Sequence, residues 1–216
     1  MTNISLFDLP NMQQNISEQP SLPKDWTGNL QSIVGCLGAS NHSAGERELH
    51  DFYATDPIAA EWLIQLEELN HNIYECACGQ GHLAKVFENH GFNVKATDLV
   101  NRGYGQGGVD FLACEEKFDG DIVTNPPYKY ADSFVTHALH LVPEGHKVCM
   151  FLKVQFLEGK GRKELFLSNP PRRVWVSSSR ISCSKNGNNF SESMIAYAWY
   201  IWEKGYQGDT VLKWFN

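Results

Sequence analysis

The chain has 216 residues, of which 42% are hydrophobic, and a formal net charge of −7, which suits one domain with one buried core. We find no run of 18 apolar residues and no basic segment leading into an apolar stretch at the start, so we expect neither a membrane span nor a secretory signal and predict a cytoplasmic protein. The six cysteines are scattered along the chain, which is typical of reduced, buried thiols rather than of a disulfide framework.

The first part of the chain, residues 1–47, is rich in Asn, Gln, Ser, Pro and Gly and has no sustained hydrophobic period. We interpret it as a mobile or loosely packed tail, followed by one folded domain over residues 48–216. A short apolar island, Ile4-Ser-Leu-Phe7, resembles the peptides with which bacterial DNA enzymes dock on the replication sliding clamp, although Asn3 stands where Gln is usual. The alternative is a strand or turn that packs on the domain.

From Asp56 onward, helical and strand-like patterns alternate. Asp56-Pro57 can open a helix whose apolar residues recur at helical spacing up to Asn70. The patterns further predict helices over about 83–91 and 131–141, and strands over 73–76, 92–97, 121–124, 147–152, 173–176 and 194–202. Strands separated by helices predict an α/β fold with a mostly parallel sheet and helices on both faces.

A glycine-containing turn, Gly79-Gln-Gly81, follows the first of these strands and precedes a helix. Glycines allow a sharp turn and a close approach of the backbone to a ligand, and Asp98 at the end of the next strand can accept both hydroxyls of a ribose. The pattern predicts a nucleoside-containing cofactor, without choosing between a nicotinamide dinucleotide and S-adenosylmethionine. We predict no metal site here, because no motif adds a fourth ligand to Cys76, Cys78 and His82.

The tetrapeptide Asn125-Pro-Pro-Tyr128 ends the strand over 121–124, at the sheet edge that carries the glycine turn. The Asn125 side-chain oxygen and the Pro126 carbonyl could accept the two hydrogens of a planar amino group and leave its lone pair aimed at a methyl sulfonium, while the prolines hold both acceptors rigid. Tyr128 offers a face on which a base can stack. The turn alone could also be a tight turn or a proline-rich ligand for another domain.

Basic residues are concentrated between Lys153 and Lys185. This segment contains eight basic and two acidic residues, whereas the rest of the chain is acidic. Such a patch suits contacts with nucleic-acid phosphates, although a solvated face is the plain alternative. The candidates for the nucleic-acid backbone are Lys153, Lys160, Arg162, Lys163, Arg180 and Lys185.

With these motifs in this order, the sequence from Phe52 to the C-terminus resembles the adenine-N6 DNA methyltransferases, including small enzymes of the phage type. The resemblance implies S-adenosylmethionine as cofactor and a Rossmann-like class I fold with a seven-stranded, mostly parallel sheet whose last strand is antiparallel. It implies cofactor contacts by Tyr53, Thr55, Pro57, Glu75, Gly79, Gly81, Asp98, Asp110 and Phe111. It implies methyl transfer to a flipped adenine by Asn125, Pro126, Pro127 and Tyr128, with Phe190 as the second aromatic against the base.

Two departures from the family pattern are Asp56, where Pro is usual, and Cys76, where Pro is common. Only 13 residues separate Phe111 from Asn125 and 14 follow Trp202, so we expect a methyltransferase domain without a separate target-recognition domain and with relaxed or partner-directed recognition. DNA is the predicted partner, ahead of RNA. The alternatives are a methyltransferase acting on RNA or on a protein glutamine, and an inactive, cofactor-binding subunit of a methyltransferase complex.

Overall fold

The computed structural model describes residues 53–179, 181, 183–185 and 195–216. The predicted N-terminal tail with its Ile4–Phe7 island, together with Arg180 and Phe190, lies outside the described residues. Within them, the strands are β1 (Tyr53–Thr55), β2 (Asn72–Glu75), β3 (Asn93–Ala96), β4 (Asp121–Thr124), β5 (Lys147–Lys153), β6 (Arg173–Ser177), β7 (Cys183–Lys185), β8 (Tyr197–Glu203) and β9 (Val211–Phe215). The helices are α1 (Ile58–Leu66), α2 (Ala84–Asn89), α3 (Ala131–Leu141) and α4 (Lys163–Ser168).

Seven strands form one sheet in the order β3-β2-β4-β5-β8-β6-β9, and β1 pairs with β7 in a separate two-stranded sheet. In the large sheet β8 runs antiparallel to both of its neighbours, β5 and β6, whereas the other pairs are parallel. The prediction of a seven-stranded, mostly parallel sheet with an antiparallel last strand is therefore confirmed, with β8 as the antiparallel strand. One more strand follows β8, because β9 adds to the edge parallel to β6.

The chain changes direction across the sheet at β2. Strand β3 lies on one side of β2 and β4 lies on the other, and both are parallel to it. In an open α/β sheet, the loops that leave two such strands diverge and leave a crevice at their carboxyl ends. The segments after β2 and β4, which begin with Cys76 and Asn125, therefore meet at this crevice.

Strand β8 shows how the sheet separates two apolar layers. Its residues are nearly all buried and alternate between the faces, as the period of a strand requires. Ala198, Tyr200 and Trp202 belong to the core that α3 covers, and Tyr197, Trp199 and Ile201 to the core that α1 and α2 cover. The prediction of helices on both faces is thus confirmed.

A buried ion cluster centres on Glu67 and fixes the end of α1. The predicted helix continues to Asn70, but α1 ends at Leu66, because Glu67 has extended backbone angles of φ −133° and ψ 135°. Its carboxylate accepts hydrogen bonds from Arg173 Nε and Nη2, both at 2.5 Å, and from Trp175 Nε1 at 2.8 Å, and Lys147 Nζ lies 3.1 Å away. Burial raises the pKa of Glu67, but the hydrogen bonds from Arg173 and Trp175 and the charges of Lys147 and Arg173 outweigh it, so the pKa lies below its ordinary value.

No helix in the described part of the chain is long and apolar enough to cross a membrane.

Candidate active site

A cavity of about 610 Å³ opens at the carboxyl ends of β2 and β4. Its volume is in the range of small-molecule sites. The residues on either side of the glycine turn line the cavity, together with the turn Asn125–Tyr128, the end of β1 and the loop after β3. Gly79 and Gly81, which were predicted as cofactor contacts, are not among the lining residues. The lining residues that were predicted from sequence are Thr55, Glu75, Asp98, Asp110, Phe111, Asn125, Pro126, Pro127 and Tyr128.

The glycine turn and the predicted ribose-binding carboxylate are in direct contact. Gly79 has φ +54°, and its N–H donates to Asp98 Oδ2 at 2.8 Å. The other oxygen, Oδ1, accepts from Val100 N, also at 2.8 Å. The carboxylate is thus held in one orientation at the cavity wall, as a site that binds a pair of hydroxyls requires.

A glycine is required at position 81 because the ring of Tyr104, which was not predicted from the sequence, packs against it. Gly81 has φ +78°, and a β-carbon at this position would lie 2.4 Å from the ring of Tyr104. That ring is fixed by a hydrogen bond from its hydroxyl to Glu88 Oε1 at 2.8 Å. The missing side chain at Gly81 therefore makes room for Tyr104, which lies against the turn, rather than for a ligand alone.

Glu75 ends β2 and is a buried carboxyl at the cavity wall. Its Oε2 has no hydrogen-bond partner among the described residues. Burial raises the pKa of Glu75 well above its ordinary value, against a backbone hydrogen bond from Ala84, and the nearby charges of Asp98 and Glu88 raise it further. A cationic group bound beside Oε2 would stabilise the ionised form of Glu75 and offset the free-energy cost of burying its negative charge.

The predicted pair Asp110 and Phe111 occupies two environments. Asp110 is exposed, and its Oδ1 accepts from Leu112 N at 3.0 Å at the start of a short 3-10 helix. Phe111 is buried with its ring centroid 5.9 Å from that of Tyr74 and 5.0 Å from that of Phe134. Both residues line the cavity, Phe111 as part of its apolar wall.

The Asn125 side chain is held by the small two-stranded sheet. Its Nδ2 donates to Thr55 Oγ1 at 2.7 Å and lies 3.9 Å from Cys183 Sγ. Thr55 and Cys183 face each other in the β1–β7 pair. Thr55 was predicted only as a cofactor residue and Cys183 was not predicted at all, since β1 and β7 are three-residue strands without a detectable period.

Tyr128 lies between the cavity and the two cores. Its ring centroid is 6.2 Å from that of Tyr197, and Lys153 Nζ lies 4.8 Å from its centroid. Burial raises the pKa of Tyr128 well above its ordinary value. Lys153, predicted as a nucleic-acid backbone contact, therefore lies against the aromatic ring of the turn Asn125–Tyr128, within cation–π distance.

The other predicted basic residues lie in different settings. Lys160 and Lys163 are exposed. Arg162 donates from Nε to Phe156 O at 2.9 Å and from Nη2 to Gln155 O at 3.3 Å and to Glu158 O, so much of its donor capacity is used within its own loop. Lys185 is described only by its backbone pairing with Tyr53 in the β1–β7 sheet.

Pro57 stands at the start of α1 and is not among the cavity residues. Cavity-lining residues that were not predicted as site residues include His82, which was considered only as a metal ligand, Arg102 and the half-exposed Tyr130. Burial, with a smaller contribution from the charge of Lys85, lowers the pKa of His82, so this ring is neutral at physiological pH. Among the described residues, no group of three or more His, Cys, Asp or Glu is placed to hold a metal ion.

Known structures share this architecture at low sequence identity. A Listeria monocytogenes protein assigned to the class I S-adenosylmethionine-dependent methyltransferases aligns over 86% of this chain and 71% of its own, with 13% identity and a TM-score of 0.52. A Pyrococcus horikoshii protein assigned as an RNA methyltransferase aligns over 81% and 98%, with 13% identity and a TM-score of 0.52. The type IIG restriction endonuclease BpuSI aligns over 77% of this chain but 26% of its own, with 16% identity and a TM-score of 0.52.

No protein-family model and no curated protein sequence matches the chain. The structural likenesses, at these identities, establish the architecture, and the predicted fold class is confirmed by them. The chain has the Rossmann-like fold of the class I methyltransferases.

Proposed function

We propose that this protein transfers a methyl group from S-adenosylmethionine to the N6 amino group of adenine in DNA. One observation carries the proposal: a single cavity joins the carboxylates of the glycine-turn region, Glu75 and Asp98, to the turn Asn125–Tyr128. The first set suits a nucleoside-containing cofactor and the second suits a planar amino group.

The cavity residues fit S-adenosylmethionine. Asp98, oriented by Gly79 and Val100, would hold the ribose hydroxyls. Glu75, whose buried Oε2 has no partner among the described residues, would face a positively charged part of the cofactor. When bound, the cofactor supplies an electrophilic methyl group on a sulfonium.

The catalytic turn would prepare the acceptor. Two acceptors on a rigid turn, Asn125 Oδ1 and the Pro126 carbonyl, would bind the two amino hydrogens and leave the nitrogen lone pair directed at the methyl group. Tyr128 would support the flipped base by stacking. The nitrogen would form the new N–C bond as the bond between the methyl group and the sulfonium sulfur breaks, which leaves a neutral thioether. The nitrogen would then lose a proton to solvent, so no general base is needed.

DNA is the preferred substrate for two reasons. The catalytic turn matches that of the adenine-N6 DNA enzymes without departure, and exposed Lys160 and Lys163 suit contacts with nucleic-acid phosphates. The neighbour named as a restriction endonuclease is in accord with DNA, whereas the one named as an RNA methyltransferase keeps RNA as the second candidate.

The test incubates the purified protein with radiolabelled S-adenosylmethionine and, separately, DNA, RNA and protein. We expect label in DNA, recovered as N6-methyladenine after digestion. Asn125→Ala should abolish transfer while it keeps cofactor affinity measured by calorimetry, and the control Asn93→Ala, an exposed asparagine on β3, should transfer normally. Label only in RNA or protein, or full activity of Asn125→Ala, would refute the proposal.

A further inference from the structure

Cys183 lies beside both ends of the catalytic turn. Its Sγ lies 3.9 Å from Asn125 Nδ2, and the side chains of Tyr128, Tyr197 and Thr55 lie close enough to the same thiol to influence its pKa. The first and last residues of the turn thus lie beside one sulfur atom.

Thr55 binds the same side-chain amide of Asn125. It is 3% exposed, accepts from Asn125 Nδ2 at 2.7 Å and stands opposite Cys183 in the β1–β7 pair. A threonine hydroxyl has one proton to donate and two lone pairs, so it can donate to the sulfur while it accepts from the amide. Thr55 from β1 and Cys183 from β7 therefore both lie against the side-chain amide of Asn125.

This contact addresses a weakness of asparagine as a catalytic acceptor. The terminal torsion of an Asn side chain is broad and roughly two-fold, so the chain alone does not fix which end of the amide faces a substrate. With Nδ2 bound to Thr55, Oδ1 lies on the opposite side of the amide group. External contacts of this kind hold an acceptor in its productive orientation.

We propose that Cys183 and Thr55 are positioning residues for methyl transfer, which set the amide plane of Asn125 and hold it in register with Tyr128. The inference rests on the proposed function of the same site. It differs from the role predicted for Thr55 from sequence, because a positioning residue acts on the rate of transfer and not on cofactor affinity.

A thiol suits this place because it stays uncharged. Burial raises the pKa of Cys183 to about 11, although the hydrogen bonds of Tyr128, Tyr197 and Thr55 and the charge of Lys153 act in the opposite direction. At physiological pH the thiol is therefore neutral, and it places no negative charge beside Asn125 or beside the substrate amino group that Asn125 would bind.

The experiment compares Thr55→Val and Cys183→Ala, which remove the polar atoms, with Thr55→Ser and Cys183→Ser, which retain a hydroxyl. We expect the first pair to lower kcat by about 10- to 100-fold, the cost of a small misplacement of a reacting group, with unchanged KM for DNA and unchanged cofactor Kd. The serine variants should recover most of the rate. Thr136→Val, on the exposed side of α3, and Cys149→Ala, buried in β5 away from the cavity, should transfer like the wild type.

Wild-type kcat in Thr55→Val and Cys183→Ala, or a loss of cofactor affinity at unchanged kcat, would overturn the inference. If the wild type itself transfers no methyl group, the proposed function fails, and the side-chain amide signals of Asn125 in the NMR spectrum still decide the positioning role. These signals are identified by their loss in Asn125→Ala. They should shift in both variants and not in Thr136→Val, and unchanged signals would refute the positioning role.

Discussion

Replacing Glu67 by Gln tests whether the buried ion cluster stabilises the domain. The substitution keeps the shape of the side chain but removes the charge that faces Arg173 and Lys147. Removing one partner of a buried ion pair costs about 3–5 kcal/mol. The side chains of Arg173 and Lys147 are 21% and 14% exposed, so water can partly solvate them and we expect the lower end of that range, about 3 kcal/mol.

Urea unfolding of both proteins, followed by tryptophan fluorescence at neutral pH, measures this difference. The matched control is Glu68→Gln, because Glu68 is exposed and its loss should change the free energy of unfolding by less than about 0.5 kcal/mol. A Glu67→Gln protein as stable as this control would contradict our interpretation of the cluster.

The pH dependence of the same difference has a defined sign. Because the folded protein holds the pKa of Glu67 below its ordinary value of 4.5, the carboxylate stabilises the fold fully above pH 4.5 and loses this contribution as the pH falls through the lowered pKa. The gap between wild type and Glu67→Gln should therefore be constant near neutrality and close only in acid.

Three further predictions concern the site. Gly81→Ala should unfold more easily and bind cofactor more weakly, because the new β-carbon would clash with the Tyr104 ring. The positive φ of this residue would cost a further amount of about 1 kcal/mol. Unchanged cofactor binding in calorimetry would contradict this reasoning. Asp98→Asn should weaken cofactor binding by about 10-fold or more, the value of a charged hydrogen bond, with little effect on the affinity for DNA. Replacing Lys160 and Lys163 by Gln should reduce the slope of log K for DNA against log salt by about 0.9 for each phosphate that the protein no longer neutralises, and an unchanged slope would place the DNA elsewhere.

The sequence was informative where a pattern is local. Strands β4 and β5 and helix α3 carry their own apolar period, and α3 has the bounds that the sequence predicts. Strands β2, β3 and β4 are parallel, and this order was enough to bring Glu75, Asp98 and Asn125 to the same edge of the sheet. Strand β9 escaped detection because all but the last of its residues are exposed, which leaves no alternating pattern to read.

What the sequence did not indicate depends on contacts between distant segments. Tyr104 lies in a glycine-rich loop, and its position over Gly81 follows only from the way that loop folds back along β3. Lys153 was grouped with the other basic residues by charge, but the end of β5 lies beside β4 and therefore beside Tyr128. Charge and composition do not indicate in which direction a side chain points. The contacts of Tyr104 and Lys153 become evident only when the neighbouring strands and loops are in place.

The β1–β7 pair also has a consequence for the order of folding. Its two strands, at residues 53–55 and 183–185, lie far apart in the chain, whereas the glycine turn and Asp98 lie close together. Contacts between distant segments close late, because the entropy lost in forming a long loop must be compensated first. During synthesis, we therefore expect the contact between Gly79 and Asp98 to form before β7 pairs with β1, so that the Asn125 amide acquires Cys183 as a neighbour late in folding.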